Sequence, residues 1–416
     1  MKTFFIKTLG CKVNQCDSED VRQTLLSCGW RQTREQDRAD IRIVNTCCVT
    51  QTAERKSRQA VRQAAFGGSC YVFGCYGIYG KAVLQTIEGV RGVFRFSEKK
   101  DFLKAIHAPA SGQNKGCPDV FSGRTRAFLK VQDGCNHRCS YCVIPLLRGR
   151  SRSLRPEEIL RQARRWADSG HKEIVLTGIN LGSFGRDLVP RQTISALLKG
   201  LEKVSGLERI RLSSLEVQDV TMPLLEIMAS SAKVCPHLHL PFQSGADSVL
   251  TAMNRPLKVS DYMRIVDLAR KKVPELAITC DMIAGFPTET DRDVRQTLAF
   301  LDHVRPLKTH VFPFSSRSGT EAGAYQVLDP KIVQERTDAL NQCAQAARQS
   351  CLDGYCGKIL NVLFETKEGD AWKGHSREYV PVKASFFGRT LKNQVKDTRI
   401  SRVGDDGVFG EILPKN

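Results

Sequence analysis

The chain has 416 residues, enough for about three domains, and its 63 Lys and Arg against 44 Asp and Glu leave a formal net charge of +19. With 41% hydrophobic, 7% aromatic and 26% charged residues it has the make-up of a globular protein; this excludes a disordered polyampholyte and leaves the sign of the charge as the informative quantity, pointing to a polyanionic partner. Sixteen cysteines are too few for a disulfide scaffold and read as ligands or core thiols.

The opening stretch, residues 1–10, is interrupted by Lys7 and no small-residue cleavage site follows it, so it reads as a strand and not as a targeting segment. No run reaches the roughly 18 apolar residues of a membrane span, so a soluble, cytoplasmic protein without membrane contact is expected. From there to about His107, β-rich runs alternate with helical stretches, the pattern of a parallel sheet with helices packed on it. Strands are predicted at 4–9, 41–46, 70–73 and 93–97, and helices at 17–27 and 52–65. Three of the four strands lead into a cysteine. Ligands of an open parallel sheet gather beyond the carboxyl ends of its strands, so Cys11, Cys47 and Cys75 can converge despite their separation in sequence.

Residues 108–123, rich in Pro, Gly, Ser and Asn, read as a linker. A second alternation follows, with strands predicted at 127–131, 173–177, 209–213, 237–241, 277–284 and 308–314. Pro156, Pro223 and Pro256 stand near helix starts, where proline is tolerated. Six β/α units fall short of the eight-stranded barrel and suit an open, partial one, with its site again at the carboxyl ends. Residues 329–351 form a long helical segment, and beyond Gly354 the pattern turns all-β, with strands predicted at 358–365, 379–385, 390–396 and 398–403. That size and pattern suit a small OB-like barrel, a frequent nucleic-acid binder. The expected fold class is α/β, with domains at 1–107, 124–353 and 354–416.

Cys135-Asn136-His137-Arg138-Cys139-Ser140-Tyr141-Cys142 directly follows the first strand of the second alternation. The spacing C-x3-C-x2-C puts three thiolates on one short loop, enough for three irons of a cubane, whereas full protein ligation of a 4Fe-4S cluster takes four cysteines. One iron is left open. S-adenosylmethionine is the best-known occupant of such a position, chelating through its amino and carboxylate groups, and the cluster then supplies the electron that makes a radical. The bland alternatives are core thiols or zinc, but zinc usually pairs two C-x2-C units or adds histidines.

Val131-Gln132-Asp133-Gly134 before the triplet and Ile144-Pro145-Leu146-Leu147-Arg148-Gly149 after it resemble the radical S-adenosylmethionine methylthiotransferases. The amino-terminal domain of that family has one cysteine in each of three motifs, matched by Leu9-Gly10-Cys11-Lys12-Val13-Asn14, Asn45-Thr46-Cys47-Cys48-Val49-Thr50 and Gly74-Cys75-Tyr76. Residues 354–413 look like its TRAM domain. Within the family, Gly10-Cys11-Lys12-Val13-Asn14-Gln15 with Glu54-Arg55-Lys56-Ser57-Arg58-Gln59 is similar to the branch that methylthiolates threonylcarbamoyladenosine beside the tRNA anticodon. The branch acting on isopentenyladenosine usually has Gln-Met-Asn after the first cysteine, and a third acts on an aspartate of a ribosomal protein.

The resemblance implies a radical SAM core at 124–353 in which Cys135, Cys139 and Cys142 bind the cluster that cleaves S-adenosylmethionine. It implies a second 4Fe-4S cluster on Cys11, Cys47 and Cys75, with both open irons facing one cavity. A 5′-deoxyadenosyl radical would take the hydrogen from carbon 2 of adenine, and the second cluster would carry the sulfur. No catalytic side chain beyond the cluster ligands is implied. The partners would be a tRNA anticodon stem-loop, an electron donor and a sulfur source, the latter two unidentified, and the chain would act as a monomer. A reading from another class is an RNA-binding iron–sulfur protein without catalysis.

Candidate cofactor contacts end successive barrel strands: Gly178 the second, Ser214 and Glu216 the third, Gln243 the fourth and Gly285 the fifth. There a glycine would let backbone approach the adenine; turn glycines or caps are the plainer reading. Cys28, Cys70, Cys235 and Cys280 read as small core residues, Cys343 and Cys351 belong to the long helix, and Cys351 with Cys356 has nothing nearby to complete a metal site. Cys16 and Cys48 are possible substitute ligands. Arg148, Arg150 and Arg152 after the triplet, and Arg55, Lys56 and Arg58 after Cys47, are candidate RNA contacts, giving salt-dependent and largely sequence-independent affinity. The terminal barrel adds Lys383, Arg389, Lys392, Lys396, Arg399 and Arg402, with Phe386 and Phe387 as stacking or core groups.

Overall fold

The computed structural model describes residues 1–108, 124–386, 388 and 390–414. The linker expected at 108–123 therefore lies outside the described residues except for Ala108, and so do Phe387, Arg389 and Cys117. The described chain divides into two compact units: 1–108 with 133–136 and 142–150, and 124–132 with 137–141 and 151–414.

The first unit is built on a five-stranded sheet in which β1 (Thr3–Thr8), β2 (Arg31–Gln32), β3 (Ile41–Thr46), β4 (Ser69–Gly74) and β5 (Val90–Val93) run parallel in the order β2-β1-β3-β4-β5. Side chains alternate across a strand, so neighbours in β3 serve opposite faces. Ile43 packs with Phe4, Val21, Leu25, Phe73 and Phe102, while Val44 packs with Val61, Ala64 and Val72. Helix α1 (Lys12–Ser27) supplies Val21 and Leu25, and α2 (Gln51–Ala65) supplies Val61 and Ala64. The sheet is thus covered on both faces, as a parallel sheet must be.

Helix α1 starts five residues before the predicted boundary. Its N-cap is Cys11, which makes no side-chain cap bond, so the usual Ser, Thr, Asp or Asn signal is missing. The fourth strand ends at Val93, where the prediction has it begin, because Phe94 and Phe96 turn into the aromatic group around Phe73, at 5.8 and 5.3 Å between centroids.

The second unit contains six parallel strands in sequence order: β6 (Arg126–Lys130), β7 (Glu173–Thr177), β8 (Arg209–Leu212), β9 (His237–Gln243), β10 (Ala277–Ala284) and β11 (Lys308–Pro313). A parallel bridge between Ser214 and His239 joins the two halves, so the six form one open, partial barrel, and the expected strand ends agree within two residues. Strand β9 runs past Pro241 because its register shifts between Leu240 and Gln243, and a bulge accommodates a residue without an N–H.

Helix Pro330–Asp353 leads to a closed barrel of β12 (Ile359–Glu368), β13 (Ala371–Ser376), β14 (Pro381–Ser385), β15 (Gln394–Gly404) and β16 (Gly407–Ile412), ordered β12-β13-β14-β16-β15. The small OB-like barrel is present, but the runs predicted at 390–396 and 398–403 are one strand. Strand β13 escapes the sequence pattern because its inward residues are Trp372, Gly374 and Ser376, and small inward residues leave no hydrophobic alternation to read. No helix among the described residues is long and apolar enough to cross a membrane.

Candidate functional site

Strands β1, β3 and β4 are adjacent and parallel, so their carboxyl ends lie side by side, and each is followed by one cysteine of the predicted trio. The approach is close: a Cβ on Gly10 would stand 2.9 Å from Cys47 Cβ and 3.1 Å from Cys47 Sγ. Each turn is tied down. Asn14 Nδ2 donates to Leu9 O at 2.8 Å and Thr46 O at 2.9 Å, and Asn45 Nδ2 donates back to Asn14 O at 2.7 Å. Ser57 Oγ accepts the Cys47 N–H at 3.0 Å and donates to Cys47 O at 2.8 Å. Gly10 and Gly74, at φ +99° and +94°, take backbone conformations that side chains oppose.

The thiols are near enough to perturb one another. Burial pushes Cys47 up to about 11, with the neighbouring Cys75 and Cys11 adding to it. Cys11 has an open face yet is walled in by protein on its other sides, and this desolvation raises it. Cys75 goes the other way: a hydrogen bond from the Cys48 thiol favours its thiolate against the cost of burial, and the charge of Arg148 helps. Cys48 is fully buried among Val44, Ala60 and Val72, and Cys16 is buried in the second turn of α1.

Arg148 is a correction to the sequence reading. Its side chain is 7% exposed and is bonded to Cys75, Asn14, Asp17 and Asp133 within the first unit, so it has no free donor face for RNA. An alternation of arginines in a loop cannot distinguish an inward guanidinium from outward ones. Arg150, Arg152, Arg55 and Lys56 are exposed. Arg58 is half committed, donating to the Tyr76 hydroxyl at 3.0 Å.

The loop of the central triplet is anchored at both ends. In the first unit the Cys135 N–H donates to Gly149 O at 3.0 Å. In the second, Asn254 Nδ2 donates to Arg138 O at 2.7 Å, and Ser140 donates to Met253 O and Ala252 O at 3.1 and 2.7 Å, fixing the segment around Cys139. Among the described residues no three His, Cys, Asp or Glu side chains converge tightly enough to hold a single metal ion.

The carboxyl ends of the partial barrel carry the other candidates. Gln243 takes φ +70°, a strained angle for a side-chain-bearing residue and of the kind that clusters at sites. Glu216 accepts from Arg255 at 3.1 and 2.6 Å, and Ser214 is held in the bridge to His239. Gly178 and Gly285 have packing reasons of their own. A Cβ on Gly178 would meet Gln132 Oε1 at 2.9 Å, and one on Gly285, at φ +71°, would meet Val333 Cγ2 at 2.7 Å. The space expected for the adenine beside Gly285 is thus taken, on that side, by the long helix. The sequence reading missed Asn180, just past β7: it is 4% exposed, and neither atom of its side-chain amide has a partner among the described residues. A buried amide with no protein partner is costly to leave alone, so this end of the barrel fits a polar ligand such as S-adenosylmethionine.

The radical SAM superfamily model matches residues 129–301, and that of uncharacterized protein family UPF0004 matches 3–94. Among curated relatives, the threonylcarbamoyladenosine tRNA methylthiotransferase MtaB of Chlamydia pneumoniae is 35% identical over 99% of this chain and 98% of its own length, and that of Bacillus subtilis is 34% identical over 99% and 97%. The chain belongs to the radical SAM methylthiotransferase family. It is accordingly an enzyme whose cofactors are S-adenosylmethionine and iron–sulfur of the 4Fe-4S type. The tRNA-2-methylthio-N(6)-dimethylallyladenosine synthase of Desulforamulus reducens, 30% identical over 99% of this chain and 96% of its own, stands nearby among methylthiotransferases. A radical S-adenosylmethionine methyltransferase, TsrM from Kitasatospora setae, shares the fold at a TM-score of 0.56 and 13% identity, over 78% of this chain and 77% of its own.

Proposed function

We propose that this methylthiotransferase inserts a methylthio group at carbon 2 of N6-threonylcarbamoyladenosine at position 37 of tRNA, using two 4Fe-4S clusters. Cys135, Cys139 and Cys142 would hold one, and Cys11, Cys47 and Cys75 the other. The observation that carries this reading is the arrival of one cysteine from each of three adjacent parallel strand ends at one place, beside a buried guanidinium. That is a set of three cysteine sulfurs with a compensating cation. The threonylcarbamoyladenosine substrate is favoured by the full-length likeness to relatives that bear its name, at 35% and 34% identity, against 30 to 32% for the dimethylallyladenosine relatives.

Bound together, the clusters and S-adenosylmethionine supply radical chemistry, which an aromatic C–H bond requires because it resists polar reagents at neutral pH. The chain's own contribution is positioning. Asn180 offers a carbonyl and an amide N–H2 to the S-adenosylmethionine, and Gln243 holds the turn beside it. Arg150, Arg152, Arg55 and Lys56 neutralise phosphates without reading sequence, leaving specificity to the modified base.

Expression in a host that lacks its own 2-methylthio transferases, with nucleoside mass spectrometry of the tRNA, tests the substrate. 2-Methylthio-threonylcarbamoyladenosine supports the proposal; 2-methylthio-isopentenyladenosine in its place, or an unmodified pool, overturns it. Two cubanes require about eight irons per chain after anaerobic reconstitution, and half that number would remove the second site.

A further inference from the structure

Arg148 closes the short helix Ile144–Arg148, six residues after Cys142. Each edge of its guanidinium is engaged. Nε donates to Cys75 Sγ at 3.4 Å, Nη1 donates to Asp133 Oδ1 and Oδ2 at 3.0 and 3.1 Å, and Nη2 donates to Asn14 Oδ1 at 2.6 Å and Asp17 Oδ2 at 2.9 Å. Asp133 stands two residues before Cys135, and Asn14 stands three after Cys11. One planar fork therefore touches Cys75 and braces the loops of Cys11 and Cys135, all within the first unit. A lysine ammonium has neither the reach nor the flat geometry for these partners at once.

Cys75 also differs from the other two thiols of its trio. Its sulfur accepts from a side chain, the Arg148 guanidinium, whereas the donors to Cys11 and Cys47 are backbone N–H groups of Val13, Asn14 and Val49. Hydrogen bonds to ligand sulfurs and nearby positive charge favour the reduced, more negative state of an iron–sulfur cluster. Asp17 and Asp133 offset the arginine's charge, but they lie on its Nη edges, while the Nε–H faces the sulfur.

We infer that Arg148 is a positioning residue that sets the reduction potential of the second cluster through its hydrogen bond to Cys75. This rests on the reading of Cys75 as a cluster ligand. The test uses the reconstituted full chain in a background with Cys135, Cys139 and Cys142 replaced by alanine, so that one cluster gives the signal. Midpoint potential is read by redox titration followed by electron paramagnetic resonance. Arg148→Gln is expected to keep the iron and move the midpoint to more negative potential, and Arg148→Lys to move it by an intermediate amount. An unmoved midpoint in an iron-loaded Arg148→Gln overturns the inference. If Arg148→Gln fails to hold iron, Arg148→Lys decides by the same criterion. Cys75→Ala separates the two failures: full iron retention there sinks the ligand assignment itself, while iron loss there with unmoved potentials in the other variants sinks the tuning role alone.

Discussion

At Gly74 a single backbone angle decides whether a ligand can be presented. Its φ of 94° and ψ of −174° lie in a region that is essentially glycine's alone, and a Cβ would fall 2.3 Å from Thr46 O. Gly74→Ala is expected to destabilise the first unit by about 1–3 kcal/mol and to lower the iron bound there, which urea unfolding and an iron assay would show together. Asn180 makes the complementary case. Its side-chain amide has no partner among the described residues, so Asn180→Ala should leave the unfolding midpoint unchanged and weaken S-adenosylmethionine binding by about tenfold or more, read by equilibrium dialysis; unchanged affinity would remove it from the site. The glycines were legible as turn residues next to cysteines. The roles of Asn180 and Arg148 were not, because an amide or guanidinium in a sequence carries no mark of which way it points or what it meets.

Among the elements, those with continuous apolar runs were legible and those with small inward residues were not. Strands β7 and β10 have the predicted bounds because each carries a run of buried apolar residues, Ile174, Val175 and Leu176 in one and Ile278, Cys280 and Met282 in the other. Strand β13 hides behind Gly374 and Ser376, and α1 hides its start behind a cysteine N-cap. The basic segment that follows the triplet separates in the same way, with Arg148 inward and Arg150 and Arg152 outward. Arg150→Gln and Arg152→Gln should each weaken tRNA binding across sequences and flatten the dependence of log K on log salt by about one unit. Filter binding at several salt concentrations measures this, and an unchanged slope would place the RNA elsewhere.

Over the second unit as a whole, the terminal barrel is packed onto the partial barrel through two buried arginines and is no pendant module. Arg209 and Arg211 flank Glu173, which is fully buried, and reach across to the terminal barrel at His375 O, Asn361 Oδ1, Arg377 O and Ser376 O, at 2.8 to 3.0 Å. An apolar group joins Ala277, Leu307 and Leu352 to Phe364, Val382 and Leu391. Truncation after Asp353 is expected to give an aggregating product, seen by size-exclusion chromatography, because it exposes that group and strands two buried cations. Burial works against the Glu173 carboxylate, but Arg211, Arg126 and Arg209 prevail and hold it at about 2, below its ordinary 4.5. A depressed carboxylate stabilises the fold above its unfolded value and ceases to do so as pH falls through the folded one. Glu173→Gln should therefore cost about 3 kcal/mol at neutral pH and flatten the loss of stability between pH 4.5 and 2, followed by urea titration.

The sequence by itself determined the alternation of strands and helices, the placing of cysteines at strand ends, the partial barrel of six units and the family to which the chain belongs. All of these rest on local periodicity, spacing and short motifs. Tertiary structure alone decided which basic residues face inward, which glycines are held by packing and which amide is left unpaired. Those depend on groups far apart in the chain meeting at one point, as Arg148 meets Cys75 at a sequence separation of 73. The net charge of +19 points to a polyanion. Only the fold shows that one arginine of the basic stretch serves a cysteine instead.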